Sequence, residues 1–166
     1  MKNVLVLCTG NSCRSVMAEA LFKQLGKERI NVFSAGSHPI GRINAGALKT
    51  LERHGLPTES YRSKSWDEFD NQPMDIVITV CDNAAGETCP VYLNKAVRVH
   101  WGVSDPGHVE GTEQEIETAF ENTFATLKQR IKAMLELPIE QLSDTELSEK
   151  LNKIRVIHPE SDGETS

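Results

Sequence analysis

Apolar and polar positions fall in blocks along this chain, and the blocks predict a regular succession of strands and helices. Val4-Leu5-Val6-Leu7 is continuously apolar, the pattern of a strand buried on both faces. From Val16 to Leu25 apolar residues recur at helical spacing, with Gly26 as the stop. Ile30 to Ala35 reads as a second strand halted by Gly36. Ser37 to Arg42, which holds Pro39 and Gly41, reads as a loop. Asn44 is placed to cap a helix through His54, with Ala47, Leu48 and Leu51 on its buried stripe and Gly55 as its C′ residue. Ser65 and Glu68 have the spacing of a capping box for a short turn carrying Trp66 and Phe69. Met74 to Val80 is the clearest interior strand, and Ala96 to His100 makes a fourth. Thr112 and Glu115 open a long helix to about Leu137, where Pro138 stops it. Ser143 and Glu146 open another to Arg155, with Leu147, Leu151 and Ile154 as its stripe. His158 to Ser166 is polar and aperiodic and is expected to be disordered.

Strands alternating with helices imply parallel β-α-β units joined by right-handed crossovers. The expected fold is α/β: a compact doubly wound sheet of about four parallel strands with helices on both faces. The 166 residues suffice for one domain with a substantial core. We place that domain at 1–137, a C-terminal helical extension at 138–157 and a disordered tail at 158–166. In such sheets ligands bind beyond the carboxyl ends of the strands, at the switch point. Cys8 and Cys81 each follow a predicted strand, so both fall on that edge.

The chemistry concentrates in the loop between the first strand and the first helix, Cys8-Thr9-Gly10-Asn11-Ser12-Cys13-Arg14-Ser15. Small and polar residues let successive N–H groups converge on one point, a nest for an anion. The helix N-terminus adds its positive dipole end. Arg14 can close the ring with a planar fork suited to tetrahedral oxyanions. Thiolates are favoured at helix N-termini and beside cations, so Cys8 is expected to lose its proton readily and act as a nucleophile. Ser15 reads either as a helix cap or as a donor to that thiolate. For Cys13 a packing role is expected.

The net charge of −6 argues against a broad nucleic-acid surface, but a local anion site built from Arg14 and backbone dipoles survives it. No apolar run is long enough to span a bilayer, and Met1-Lys2-Asn3 leads straight into a strand, so a cytoplasmic protein without a signal peptide is expected. Four cysteines, Cys8, Cys13, Cys81 and Cys89, are too few for a disulfide scaffold. In a reducing compartment they are more often catalytic, redox-active or metal-binding. Close C-x-x-C pairing is missing, so structural zinc is not expected.

Two further features bear on the reaction. Asp105, in Trp101-Gly-Val-Ser-Asp105-Pro106-Gly107, lies after the fourth strand; it is either a turn former or a general acid able to protonate a leaving oxygen. Cys81 and Cys89 are either a core residue and an incidental loop thiol or a relay. In the relay Cys81 attacks an adduct on Cys8 and Cys89 then resolves the disulfide. A helical 82–88 segment would hold their backbones on the order of 12 Å apart. A disulfide requires Cα atoms within about 7 Å, so the segment would have to loop or unwind.

The stretch Cys8 to Ser15 with Met17-Ala-Glu19, Cys81…Cys89-Pro90, His100-Trp-Gly102 and Asp105-Pro106 resembles the thioredoxin-coupled arsenate reductases, which share the fold of low-molecular-weight protein tyrosine phosphatases. The resemblance covers roughly Lys2 to Leu135. It implies that Cys8 attacks arsenate, Arg14 binds the oxyanion, and Asp105 assists departure of water. It also implies that electrons then pass along a Cys8–Cys81–Cys89 relay to an external thioredoxin or to glutaredoxin and glutathione. Phosphate and sulfate would compete for the cradle. The resemblance brings a potassium ion near Asn11 and Glu19 into consideration; no tightly bound cofactor is implied, and a monomer is expected. The alternatives are a tyrosine phosphatase using Cys8, Arg14 and Asp105, and a non-catalytic redox or oxyanion sensor. Gly107, where those phosphatases usually carry an aromatic, Val16, where they commonly carry proline, and the unused Cys81 and Cys89 weigh against the phosphatase.

Overall fold

The first strand, β1 (Lys2–Leu7), sits in the middle of the molecule: Val4, Leu5 and Val6 are fully buried in the computed structural model. Successive side chains of a strand point to opposite faces, so an unbroken buried run means that both faces of the sheet are covered there. The structure describes residues 1–81, 90 and 93–160. Cys89 and the 82–88 segment lie outside the described residues, as does the tail beyond Glu160.

The chain then forms α1 (Arg14–Gly26), β2 (Ile30–Ala35), α2 (Ala45–Arg53), β3 (Ile76–Thr79), β4 (Val97–His100), α3 (Glu113–Leu135) and α4 (Asp144–Ile157), with single 3-10 turns at Trp66–Phe69 and Pro106–His108. Four parallel strands make one sheet in the order β2-β1-β3-β4. The expected α/β architecture is therefore present. The chain moves outward to β2 on one side of β1 and to β3 and β4 on the other, so the switch point lies between β1 and β3. Cys8 and Cys81 follow those two strands.

Element ends follow local chemistry. Asn44 accepts from the N–H groups of Gly46 and Ala47 and so caps α2. At the other end Gly55, at φ +70°, donates to Glu52 while Leu56 donates to Leu51, a complete Schellman closure. Both long C-terminal helices carry reciprocal capping boxes, Thr112 with Glu115 and Ser143 with Glu146. The expected box at Ser65 and Glu68 does not form. Ser65 accepts from Asp67 N–H instead, and the Glu68 carboxylate pairs with Arg62. β3 is shorter than Met74 to Val80, although the bonds Asp75 N to Asn3 O and Val80 N to Leu7 O extend its pairing at both ends.

The C-terminal helix covers the β4 edge. Asn152 accepts from His100 N–H and donates to Arg98 O, and the Trp101 indole donates to Leu151 O. A sheet edge left bare would expose unpaired backbone groups, and α4 meets that need here. Among the described residues no helix is long and apolar enough to cross a membrane.

Candidate active site

The loop after β1 is shaped by bonds that point its carbonyls outward. Thr9 O accepts from His38 N–H, Gly10 O from Ile40 N–H and the Ser63 hydroxyl, and Ser12 O from Asn44 N–H. Among the described residues no acceptor takes the N–H groups of Gly10 to Arg14. They are the donors that an anion in the loop would require. The turn depends on Asn11, which is fully buried and holds φ +45°, a left-handed conformation asparagine tolerates better than most residues. Its amide donates to Ser15 Oγ (2.9 Å) and Ser34 Oγ (3.0 Å), and its carbonyl accepts from Lys64 N–H (2.9 Å). Gly36, expected only to halt β2, is required by this packing: a Cβ there would lie 2.3 Å from Thr9 O.

Arg14 opens α1 with its guanidinium over the loop. Nη1 donates to Val103 O at 2.8 Å, and Nη2 stands 3.5 Å from Asp105 Oδ2. Its Nε is buried and has no hydrogen-bond partner among the described residues. A buried, unpaired donor on a cation is costly unless something completes it, and an oxyanion in the cradle would do so. Asp105 forms the turn its sequence suggested and also lies beside the cradle arginine. Its Oδ1 accepts from Gly107 N–H and caps the Pro106–His108 turn, while Oδ2 faces Arg14. Ser15 is not the cap of α1, a position held by Cys13 without a side-chain bond. Its buried hydroxyl accepts from Asn11, leaving its own proton available to donate.

Cys8 and Cys81 are both buried free thiols, and Cys81 is the strongest influence on the Cys8 thiol. Thr9 N–H donates to Cys81 Sγ at 3.4 Å, so the second sulfur sits at the mouth of the cradle. This neighbour corrects the sequence expectation for Cys8. The Cys81 thiol first, and burial second, push the Cys8 thiol well above its usual range, against the lowering effect of Arg14. Two adjacent buried sulfurs cannot both ionise cheaply, so the pair retains a proton. Burial likewise pushes Cys13 up to about 12, in keeping with its expected packing role.

The region considered for potassium is already served by a cation. Glu19 and Asn11 gather there as the resemblance implied, joined by Ser34, but Lys64 Nζ reaches Ser34 Oγ at 3.3 Å and lies 3.9 Å from Glu19 Oε1. Burial holds the Lys64 amine below its usual range, and Glu19 opposes that shift. Lys23 adds a second ammonium, 3.2 Å from Glu19 Oε2. These residues do not fit a further metal cation, and no group of three or more metal-ligating side chains occurs among the described residues. Sequence reasoning missed Lys64 and Ser34, because nothing near either residue marks it as a partner of the loop.

A model of the family "Low molecular weight phosphotyrosine protein phosphatase" matches residues 3–152. The chain belongs to this family. Within it, a curated relative from Halalkalibacterium halodurans, named arsenate reductase, is 37% identical over 135 residues, covering 81% of this chain and 96% of its own. A solved structure described as an arsenate reductase in the phosphate binding state shares 26% identity at a TM-score of 0.63, covering 80% of this chain and 98% of that one. A thioredoxin-dependent arsenate reductase of Corynebacterium glutamicum shares 26% identity at a TM-score of 0.58, covering 82% of this chain and 64% of that one. The family model carries the phosphatase name and these relatives the reductase name, and the side chains around the cradle must distinguish the two.

Proposed function

We propose that this protein reduces arsenate to arsenite, using Cys8 as nucleophile and Cys81 and Cys89 as the electron relay. The observation that carries the reading is the Cys81 sulfur, which accepts the Thr9 N–H at the cradle and acts directly on the Cys8 thiol. Hydrolysis of a phosphate ester has no use for a second thiol there; reduction requires one. The curated relative named arsenate reductase supports the same substrate.

In this mechanism the oxyanion fills the nest, pairs with Arg14 Nε, and displaces the Cys81 sulfur from Thr9 N–H. With Cys81 drawn aside, the influence that most raises the Cys8 thiol is removed, and Cys8 ionises under Arg14. The Cys8 thiolate forms a sulfur–arsenic bond while one arsenate oxygen leaves as water, its proton supplied by Asp105. The Cys81 thiolate then attacks the Cys8 sulfur. The sulfur–arsenic bond breaks, its electron pair stays on arsenic, and arsenite departs from a Cys8–Cys81 disulfide. Cys89 next attacks Cys81, which returns Cys8 as a thiolate and leaves Cys81–Cys89 to be reduced by an external dithiol. One arsenate consumes two thiols and yields one arsenite and one water. Thioredoxin is the favoured reductant, by likeness to the thioredoxin-dependent relative, with glutaredoxin and glutathione as the comparison.

Arsenite formation from arsenate with thioredoxin, thioredoxin reductase and NADPH tests the reading, run beside glutaredoxin and glutathione. Cys89→Ser should give about one turnover and then stall with Cys8–Cys81 oxidised; steady cycling of that variant would remove the relay. The family description favours a second reading, phosphatase activity with the same Cys8, Arg14 and Asp105. Rapid turnover of p-nitrophenyl phosphate without arsenite formation would select it.

A further inference from the structure

Arg130 lies on the inner face of α3 and is 1% exposed, an unusual place for a guanidinium. No carboxylate hydrogen-bonds to it among the described residues. Its Nε donates to His158 O at 2.9 Å, and its Nη1 donates to Trp101 O at 2.8 Å and more weakly to Gly102 O at 3.4 Å. Burial lowers it from the usual arginine range to about 10, with Arg155 adding to the shift and Glu160 opposing it, so it stays charged at neutral pH. It therefore ties the arm that follows α4 to the two residues that follow β4.

Two residues further along that arm, Glu160 makes a second attachment. Its carboxylate accepts from the Ser104 N–H and from the Ser104 hydroxyl (3.0 Å). Ser104 lies between Val103, whose carbonyl holds Arg14 Nη1, and Asp105, whose Oδ2 faces Arg14 Nη2. Every residue from Trp101 to Asp105 thus has a polar tie, running from the C-terminal arm through the segment to the oxyanion-binding arginine. Anchoring α4 needs neither attachment, because Asn152 and the Trp101 indole already fasten that helix to the β4 edge.

We propose that Arg130 and Glu160 are positioning residues, which use the arm at His158–Glu160 as a strap to hold the 101–105 segment where Asp105 delivers its proton. The inference rests on the reductase reading for its assay, but its geometry concerns only Arg14 and Asp105. Loss of the strap lets Ser104 and Asp105 swing away from the cradle, while Asn11, Gly36 and the loop amides keep the anion site intact. Proton delivery should suffer more than oxyanion binding.

The test is arsenate-driven loss of free thiols in the full-length protein without external reductant, followed as initial rate against arsenate concentration. Wild-type protein must lose thiols; if it does not, the reductase reading fails and the strap is judged from p-nitrophenyl phosphate hydrolysis, which uses the same Asp105. Given activity, Glu160→Ala should lower the maximal rate about fivefold and move the half-saturating arsenate concentration by less than about twofold. Glu160→Gln should keep the wild-type rate, because its amide can accept from Ser104 N–H and donate to Ser104 Oγ. Arg130→Met should lower the rate further, and its melting transition separates that loss from unfolding. In an Asp105→Asn background the effect of Glu160→Ala should vanish. A wild-type rate in Glu160→Ala, an equal loss in Glu160→Gln, or a full-sized Glu160→Ala effect on top of Asp105→Asn would each overturn the proposal.

Discussion

The two sides of the site are built on different principles. The floor, from Cys8 to Ser15, is held by buried bonds: Asn11 alone joins three partners, and Gly36 packs against the loop backbone with no room for a methyl group. The wall, from Trp101 to Asp105, loosens toward its end: Trp101 and Val103 are buried and held by 2.8 Å bonds, but Asp105 is 24% exposed and stands 3.5 Å from Arg14. A floor of this kind fixes where a tetrahedral anion sits before it arrives, which is where electrostatic preorganisation is most effective. A looser wall suits the proton transfer proposed for Asp105, which requires access to water. Under the proposed mechanism, binding and proton transfer fall to parts of different stiffness.

The largest break in this comparison removes the atom that both sides serve. Cys8→Ser should abolish arsenate reduction and any phosphatase activity, measured as arsenite formed and p-nitrophenol released, with the fold retained. On the wall, Asp105→Asn should slow the arsenate-driven step about 100-fold without preventing disulfide formation; an unchanged thiol-loss rate would take Asp105 out of the mechanism. On the floor, Asn11→Ala should cost about 3 kcal/mol of stability in urea titration. It combines left-handed strain with a buried Lys64 N–H left unpaired, and it should weaken phosphate protection of Cys8 in parallel. The smallest effect is a shift in pH. Because Cys81 is the main reason the Cys8 thiol is raised, Cys8 alkylation by iodoacetamide should be slow near neutrality and climb as pH rises. Cys81→Ala should move that climb to lower pH. If the profile stays where it is, burial rather than the second sulfur controls Cys8.

The sequence made the floor's residue types legible and left its geometry hidden. β1 and β3 announce themselves because strands buried on both faces must be apolar throughout. The boxes at Thr112 and Ser143 could be read because donor and acceptor lie three residues apart. The Ser65 pattern misled because the Ser65 hydroxyl takes the Asp67 N–H rather than that of Glu68, while the Glu68 carboxylate turns to Arg62. Asn11 was recognisable as a loop member, but its φ of +45° is set by Ser34 and Lys64, which reach it only when the fold closes. Lys64 and Arg130 went unrecognised for the same reason: a buried cation is defined by its partners, and theirs are remote in sequence. The raised Cys8 thiol follows that rule too, since the helix N-terminus and Arg14 are local while Cys81 arrives from another strand.

Gly36 carries a lesson for anyone who would transplant this chemistry. The eight residues from Cys8 to Ser15 look like a portable cassette, ready to be grafted between a strand and a helix of another α/β protein. In a host with alanine at the position of Gly36, just past the neighbouring strand, the added methyl would collide with the backbone of the graft, and the amides would turn away from their common centre. The smallest transferable unit is therefore three pieces of chain: the loop, the Ser34–Gly36 end of the adjacent strand, and the Ser63–Lys64 segment that fastens both.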